Sequence, residues 1–222
     1  MHYLLNLLLS VAIFSSSSER DTLVLADVTP SCGDMLAEES FGPWPCAGFQ
    51  VTHESGVGNF GELDFSGNVN NAGVVGNGVN ATGFNDIDGF LYTIRGNNQH
   101  LLRLHSDGTI DDLGLVAGLP GNIVVGAFDN AGNYYVKTGN TPEVYLVDVA
   151  TLAITTLNPT GLFFAKDWAY HPGQGQFYGV HASDLYAYNP GTNSVSITPL
   201  TGILPGENTV YGAAFYGADG YI

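Results

Sequence analysis

Asp86-Ile87-Asp88-Gly89 has the form of half a calcium loop: two carboxylates one residue apart, then a glycine. A complete EF-hand loop needs further oxygen ligands and a glutamate at its twelfth position, which here is Asn97. The corresponding turns elsewhere in the chain read "DNAG", "GQG" and "GADG", so the acids are not a repeated ligand set. The motif therefore reads as a solvated hairpin turn. A second chemistry would gather oxygen donors from several inner strands around a central axis to hold a metal. The weak candidates for such an axial site are Asn80 and Asp167. Two oxygen side chains do not make a hard-cation cage, and Lys166 beside Asp167 neutralises it locally.

The six histidines, at 2, 53, 100, 105, 171 and 181, show no HExxH spacing and no i, i+2 pairing with one another. There is no G-x-S-x-G, and no Ser/His/Asp set is marked out by position. The glycine-rich "GVVGNGVNATG" contains no lysine and precedes a strand, which excludes a P-loop. No catalytic residue, metal ligand or cofactor is assigned. Asn80-Ala81-Thr82 is the one N-x-[ST] sequon with an allowed middle residue, making Asn80 the glycosylation candidate as well. It stands at the start of an inner strand, where a glycan would be crowded. Aromatics such as Trp44 and Trp168 have the chemistry to stack on sugars, although blade packing is their first explanation.

Composition narrows the setting. Five Lys plus Arg face 21 Asp plus Glu, a formal charge of −16. Such a chain repels phosphate backbones and anionic lipid, which argues against nucleic-acid or membrane-surface partners. Residues 4–14, "LLNLLLSVAIF", followed by four serines, suit a secretory signal and are too short to span a bilayer. No Lys or Arg precedes that run and no clear A-x-A site follows it. The expectation is a signal peptide over 1–18, an N-terminal extension over 19–45 and one domain over 46–222. Cys32 and Cys46 are the disulfide candidates in an oxidising compartment. Closing so short a loop is worth about 3 kcal/mol in the chain-entropy model.

The elements that would position all these groups come from a repeat. The hairpin "GFNDIDGFLY" at 83–92 recurs as "AFDNAGNYY" at 127–135, "AYHPGQGQFY" at 169–178 and "AFYGADGYI" at 214–222. Its turn glycines, Gly89, Gly132, Gly175 and Gly220, are 43, 43 and 45 residues apart. Before each turn stands an aromatic (Phe84, Phe128, Tyr170, Phe215) preceded by a small residue (Gly83, Ala127, Ala169, Ala214). Adjacent strand residues face opposite ways, so each first strand offers a ring on one face and a flat patch on the other. Stacked sheets can then bury the ring of one on the small residue of the next. A second strand carries Tyr92, Tyr135 and Tyr178 in matching places, and third and fourth strands follow each hairpin. Four antiparallel strands at this period define a β-propeller blade.

"ELDFSGNVNNAG" at 62–73 aligns without gaps on "RLHSDGTIDDLG" at 103–114, giving the last two strands of an earlier blade, with 48–52 as its second strand. The fold class expected is an all-β propeller of four-stranded blades, about five in the complete domain and truncated at its C-terminal end here. A four-bladed ring, closed by pairing 211–222 with 48–73, is the alternative count.

"VNATGFNDIDGFLYTI", "LLRLHSDGTIDDLGLVAGLP", "GAFDNAGNYYV" and "DWAYHPGQGQFYGV" together resemble the secreted propeller-like family called domain of unknown function 6923, from about Cys46 to Ile222. The resemblance implies an extracellular or surface protein of microbial type, often beside adhesion-type repeats. It implies no activity and carries over no catalytic residue. Family members tend to carry a C-terminal cysteine that this chain lacks, which leaves the partner of Cys46 open between Cys32 and that cysteine. The reading is of a secreted binding or scaffolding module whose partner is an extracellular protein or a polysaccharide. The alternatives are a propeller enzyme with an axial metal site, a hydrolase or lyase, and a fragment without independent function.

Overall fold

The computed structural model describes residues 48–54, 57–63, 69–139 and 141–200. Every regular element among them is a strand, and no helix long and apolar enough to cross a membrane occurs there. Glycine and β-branched residues at these densities favour that outcome over helix.

The strands form four antiparallel meanders in chain order. The first holds β1 (Gly48–Glu54), β2 (Val57–Leu63) and β3 (Val69–Val74). The second holds β4 (Val79–Asn85), β5 (Phe90–Arg95), β6 (His100–Leu104) and β7 (Ile110–Leu115). The third holds β8 (Ile123–Phe128), β9 (Tyr134–Thr138), β10 (Val144–Val147) and β11 (Ile154–Leu157). The fourth holds β12 (Ala169–His171), β13 (Gln176–His181), β14 (Asp184–Asn189) and β15 (Ser194–Pro199). β4 lies along β8, and β8 meets β12, so the first strand of each full sheet faces a common axis. These sheets are propeller blades. Among the described residues the fourth sheet pairs with no strand of the first, leaving an open arc.

The turn glycines serve as the repeat requires. Gly89, Gly132 and Gly175 sit at φ 75, 76 and 66°, where a Cβ would be strained. The tyrosine three residues after each glycine is tied to its own turn: Tyr92 Oη donates to Asp88 Oδ2 at 2.7 Å, and Tyr178 Oη donates to Gln174 Oε1. Asp88 also accepts from Asn85 Nδ2 and Phe90 N, so this carboxylate of the calcium-like motif is a turn brace.

Ring-on-small packing joins the blades. A Cβ at Gly83 would lie 3.0 Å from Phe128 Cδ2 and 3.1 Å from Ala127 Cα, so the glycine is the floor on which the next blade's ring rests. Tyr92 approaches the same ring at 5.3 Å, and Phe128 stacks on Tyr134 at 4.5 Å. One interface on, Tyr170 and Ala127 pack against the same buried cluster, in which Tyr135 meets Phe177 at 4.9 Å. One interface back, Phe84 packs in the cluster of Phe60, Leu91, Leu102 and Leu104. Burial of each ring is worth about 1.5–3 kcal/mol by area. Trp168, only 1% exposed, belongs to this packing beside Phe177 and Tyr188, so it is no sugar platform.

The gapless match between 62–73 and 103–114 holds in backbone detail. β2 against β3 slips register between Phe60 and Gly61, and β6 against β7 slips between Leu101 and Leu102, the aligned residues. The first sheet supplies second, third and fourth strands, with no innermost strand among the described residues. Residues 1–47, with Cys32, Cys46 and Trp44, and residues 201–222, with Phe215 and Gly220, lie outside the described residues.

Candidate functional site

The repeat alignment places Asn80, Val124 and Lys166 at one position, the first two inside the inner strands β4 and β8 and Lys166 three residues ahead of β12, and the structure brings them to the same end of the arc. The backbone there is irregular for a reason. β4 bulges between Asn80 and Gly83 with Ala81 at φ 60°, and β8 bulges between Ile123 and Val125 with Asn122 at φ 70°. Gly78, two residues before Asn80, has φ 73°, matching Asn122 two residues before Val124. A left-handed alanine is unfavourable by roughly 1 kcal/mol or more, and persists only where its surroundings over-determine it. Here they do. Tyr134 Oη donates to Ala81 O, and a Cβ at Gly126 would come within 2.2 Å of that oxygen. The kink turns Asn80 outward, and Asn80 Oδ1 accepts from Ala81 N at 2.9 Å, which fixes the carboxamide.

Between the second and third blades this irregularity leaves a cleft of about 450 Å³, lined by Gly78, Asn80, Gly96, Asn97, Asn122 and Val124 with their neighbours. Asn80, Asn97 and Asn122 are all exposed. Among the described residues, Asn97 and Asn122 make no side-chain hydrogen bond to protein. The floor is glycine: Gly96 N donates to Gly78 O at 2.7 Å, and a Cβ on Gly78 would meet nothing within 4 Å.

Between the third and fourth blades the equivalent space is filled. Gly139 is the repeat equivalent of Gly96, and a Cβ there would lie 3.0 Å from Lys166 Cδ and 3.1 Å from both Lys166 Nζ and Val124 Cγ2. Lys166 Nζ donates to Gly139 O at 2.8 Å. Beneath it lies Lys137, which the sequence reading passed over. Its Nζ donates to Thr138 O at 2.6 Å and Ala165 O at 3.3 Å and sits 5.2 Å from the Phe163 ring centre. Lys137 is 0% exposed. Burial, aided by the like charge of Lys166 and opposed by Glu143, pushes its ammonium down to about 8. The equivalent residues in the neighbouring blades are Ile94 and Val180, so one repeat column read across the blades would have exposed it. Positions 137 and 166 hold the only two lysines of the chain.

Each axial candidate is engaged by its own backbone. Asp167 Oδ1 accepts from Trp168 N at 2.9 Å, as Asn80 Oδ1 does from Ala81 N, so each oxygen caps its own chain. Among the described residues no three His, Cys, Asp or Glu side chains are grouped to hold a metal.

The histidines and acids of the second blade's outer strands form two separate ion-pair sets. Asp111 takes Arg103 and His105 on one face, and Asp112 takes Arg95 and His100 on the other. Hydrogen bonds from Arg103 and then His105 hold the Asp111 carboxyl below its ordinary value.

The model of the family "Repeat of unknown function (DUF6923)" matches residues 57–222. The chain belongs to this family. No curated protein matches the DUF6923 chain. Among solved structures it is similar to a structural-genomics protein of unknown function from Bacteroides thetaiotaomicron, at 11% identity and TM-score 0.59, covering 82% of this chain and 54% of that one. It is also similar to an auxiliary nutrient binding protein from the same organism, at 16% identity and TM-score 0.52, covering 82% of this chain and 44% of that one. A nidogen/laminin complex follows at 13% identity and TM-score 0.49, covering 73% and 64%. The DUF6923 chain spans about half the length of the first of these structures. At such identities the two Bacteroides structures share the fold with this chain and nothing more.

Proposed function

We propose that this DUF6923 chain is a secreted, non-catalytic propeller that binds an extracellular partner, a surface protein or a polysaccharide, through the end where its inner strands begin. The observation that carries this reading is the paired distortion of β4 and β8: two adjacent inner strands hold left-handed, bulged backbone at the same height, and the product is an open polar cleft on a rigid frame. Strain of that kind is retained where a surface is used. Recognition surfaces on rigid rings are built from such strand ends and connecting loops.

The test has two arms. Fractionation of producing cells places the protein in the medium or on the surface; retention in the cytoplasm defeats the reading. Purified full-length protein is then offered to intact cell surfaces and to insoluble polysaccharides. Binding that disappears in the Asn97→Ala, Lys166→Met double variant, with an unchanged thermal melt, supports the assignment. Binding indifferent to that variant, or turnover of the bound material, refutes it.

A further inference from the structure

We infer that the cleft between the second and third blades is a binding site for one or two rings of a neutral saccharide. The inference rests on the binding role proposed above and names its ligand. The lining is the first argument. Asn80, Asn97 and Asn122 present three carboxamides, each able to donate and to accept, with no ionised side chain among the lining residues. Sugar hydroxyls also both donate and accept, so amides satisfy them without leaving a charge to be desolvated. A site built this way rejects ligands lacking the hydroxyls, because its polar groups would then be buried without partners.

Size and preorganisation point the same way. A cleft of about 450 Å³ falls in the range of small-ligand sites and suits one or two pyranose rings. The Asn80 carboxamide is fixed by Ala81 N, and the backbone that carries Asn122 is held left-handed, so part of the ordering is done before binding. The glycine floor of Gly78 and Gly96 lets a ring approach the backbone directly. Charge argues for neutrality: a chain of net −16 repels acidic sugars. The lysines that would offset this stand at the next interface, where Lys166 already lies against Gly139.

The neighbouring interface also supplies the decisive variant. Val124→Lys places in the open cleft the side chain that fills its equivalent one blade on. The full-length protein is titrated with a panel of neutral hexoses and their disaccharides, read by saturation-transfer NMR and calorimetry. Expected is binding of millimolar strength, the scale for a ligand of about twelve heavy atoms per ring. Val124→Lys should abolish it, Asn97→Ala should weaken it about five- to tenfold, and Lys166→Met should leave it unchanged. Thermal melts of all three verify that each is folded. No transfer from any neutral sugar, or transfer that survives Val124→Lys, overturns the inference. Selective binding of uronic acids that requires Lys166 overturns it equally. If every sugar fails while the protein still binds cell surfaces through the Asn97 and Lys166 end, this inference falls and the binding role stands.

Discussion

The two inter-blade spaces on either side of the third sheet begin from the same repeat and end differently. Between the second and third blades, Ile94 fills the buried position, Val124 is short, and the space above Gly96 stays open. Between the third and fourth, Lys137 takes the buried position, Lys166 takes the place of Val124, and the space at Gly139 is occupied. Both use a small residue under an aromatic ring to hold the blades together. The contrast separates the residues that make a propeller from those that individualise one interface: the former recur at the period, the latter break it.

The largest effect should come from forcing one interface to resemble the other at its core. Ile94 is 0% exposed among Leu101, Val136 and Tyr134. Ile94→Lys should destabilise by about 3–5 kcal/mol, since it puts an unpaired ammonium among apolar side chains. Chemical denaturation measures this directly. Gly126→Ala comes next, at about 1–3 kcal/mol or somewhat more, because its Cβ would meet the Ala81 carbonyl at 2.2 Å and neither backbone can yield freely.

The buried lysine predicts a pH dependence of unusual sign. Its folded value of about 8 lies below the ordinary 10.5. Below pH 8 both folded and unfolded states are charged, and the burial penalty is at its maximum. Between about 8 and 10.5 the unfolded chain holds a proton that the folded chain has released, so stability rises with pH, by up to about 3 kcal/mol in all. Tyrosines limit that gain: burial raises Tyr92 and Tyr134 and pushes Tyr135 up to about 12, so as the pH nears 10 the unfolded chain ionises first and stability falls again. Denaturation midpoints from pH 7 to 11 should pass through a maximum between about 9 and 9.5, where tyrosine ionisation in the unfolded chain overtakes the lysine. Lys137→Met should remove the rise while changing stability at pH 7 by about 1 kcal/mol or less, as lost carbonyl hydrogen bonds offset the relieved desolvation. The smallest effect belongs to Lys166→Met, which should move the onset of the rise upward by removing a like charge. A midpoint that falls steadily from pH 7 would show Lys137 to be ordinary.

The frame was legible in the sequence because its residues are short-range and periodic. Gly89, Gly132 and Gly175 announce their turns, and Phe84, Phe128 and Tyr170 with the small residue before each announce the faces. The site was less so. Asn80 was noticed as an axial-site and glycosylation candidate, but not for its bulge, which depends on Tyr134 and Gly126 more than forty residues away. Asn97 and Asn122 lie in connections whose convergence only the assembled blades decide. Asp111 and Asp112 are adjacent in sequence but serve opposite faces, a consequence of strand alternation that a list of histidines conceals.

Each tyrosine tether from second strand to preceding turn, Tyr92 to Asp88 and Tyr178 to Gln174, closes a contact only four residues long. Together with strands that, among the described residues, pair solely with their chain neighbours, this gives a low contact order within each described sheet. Hairpins can therefore form as the polypeptide emerges during synthesis, each one waiting only for its own residues. Docking of ring on glycine then becomes the slow, cooperative event, and a lesion at Gly83 would be felt as failed assembly of finished sheets and not as failure to make them.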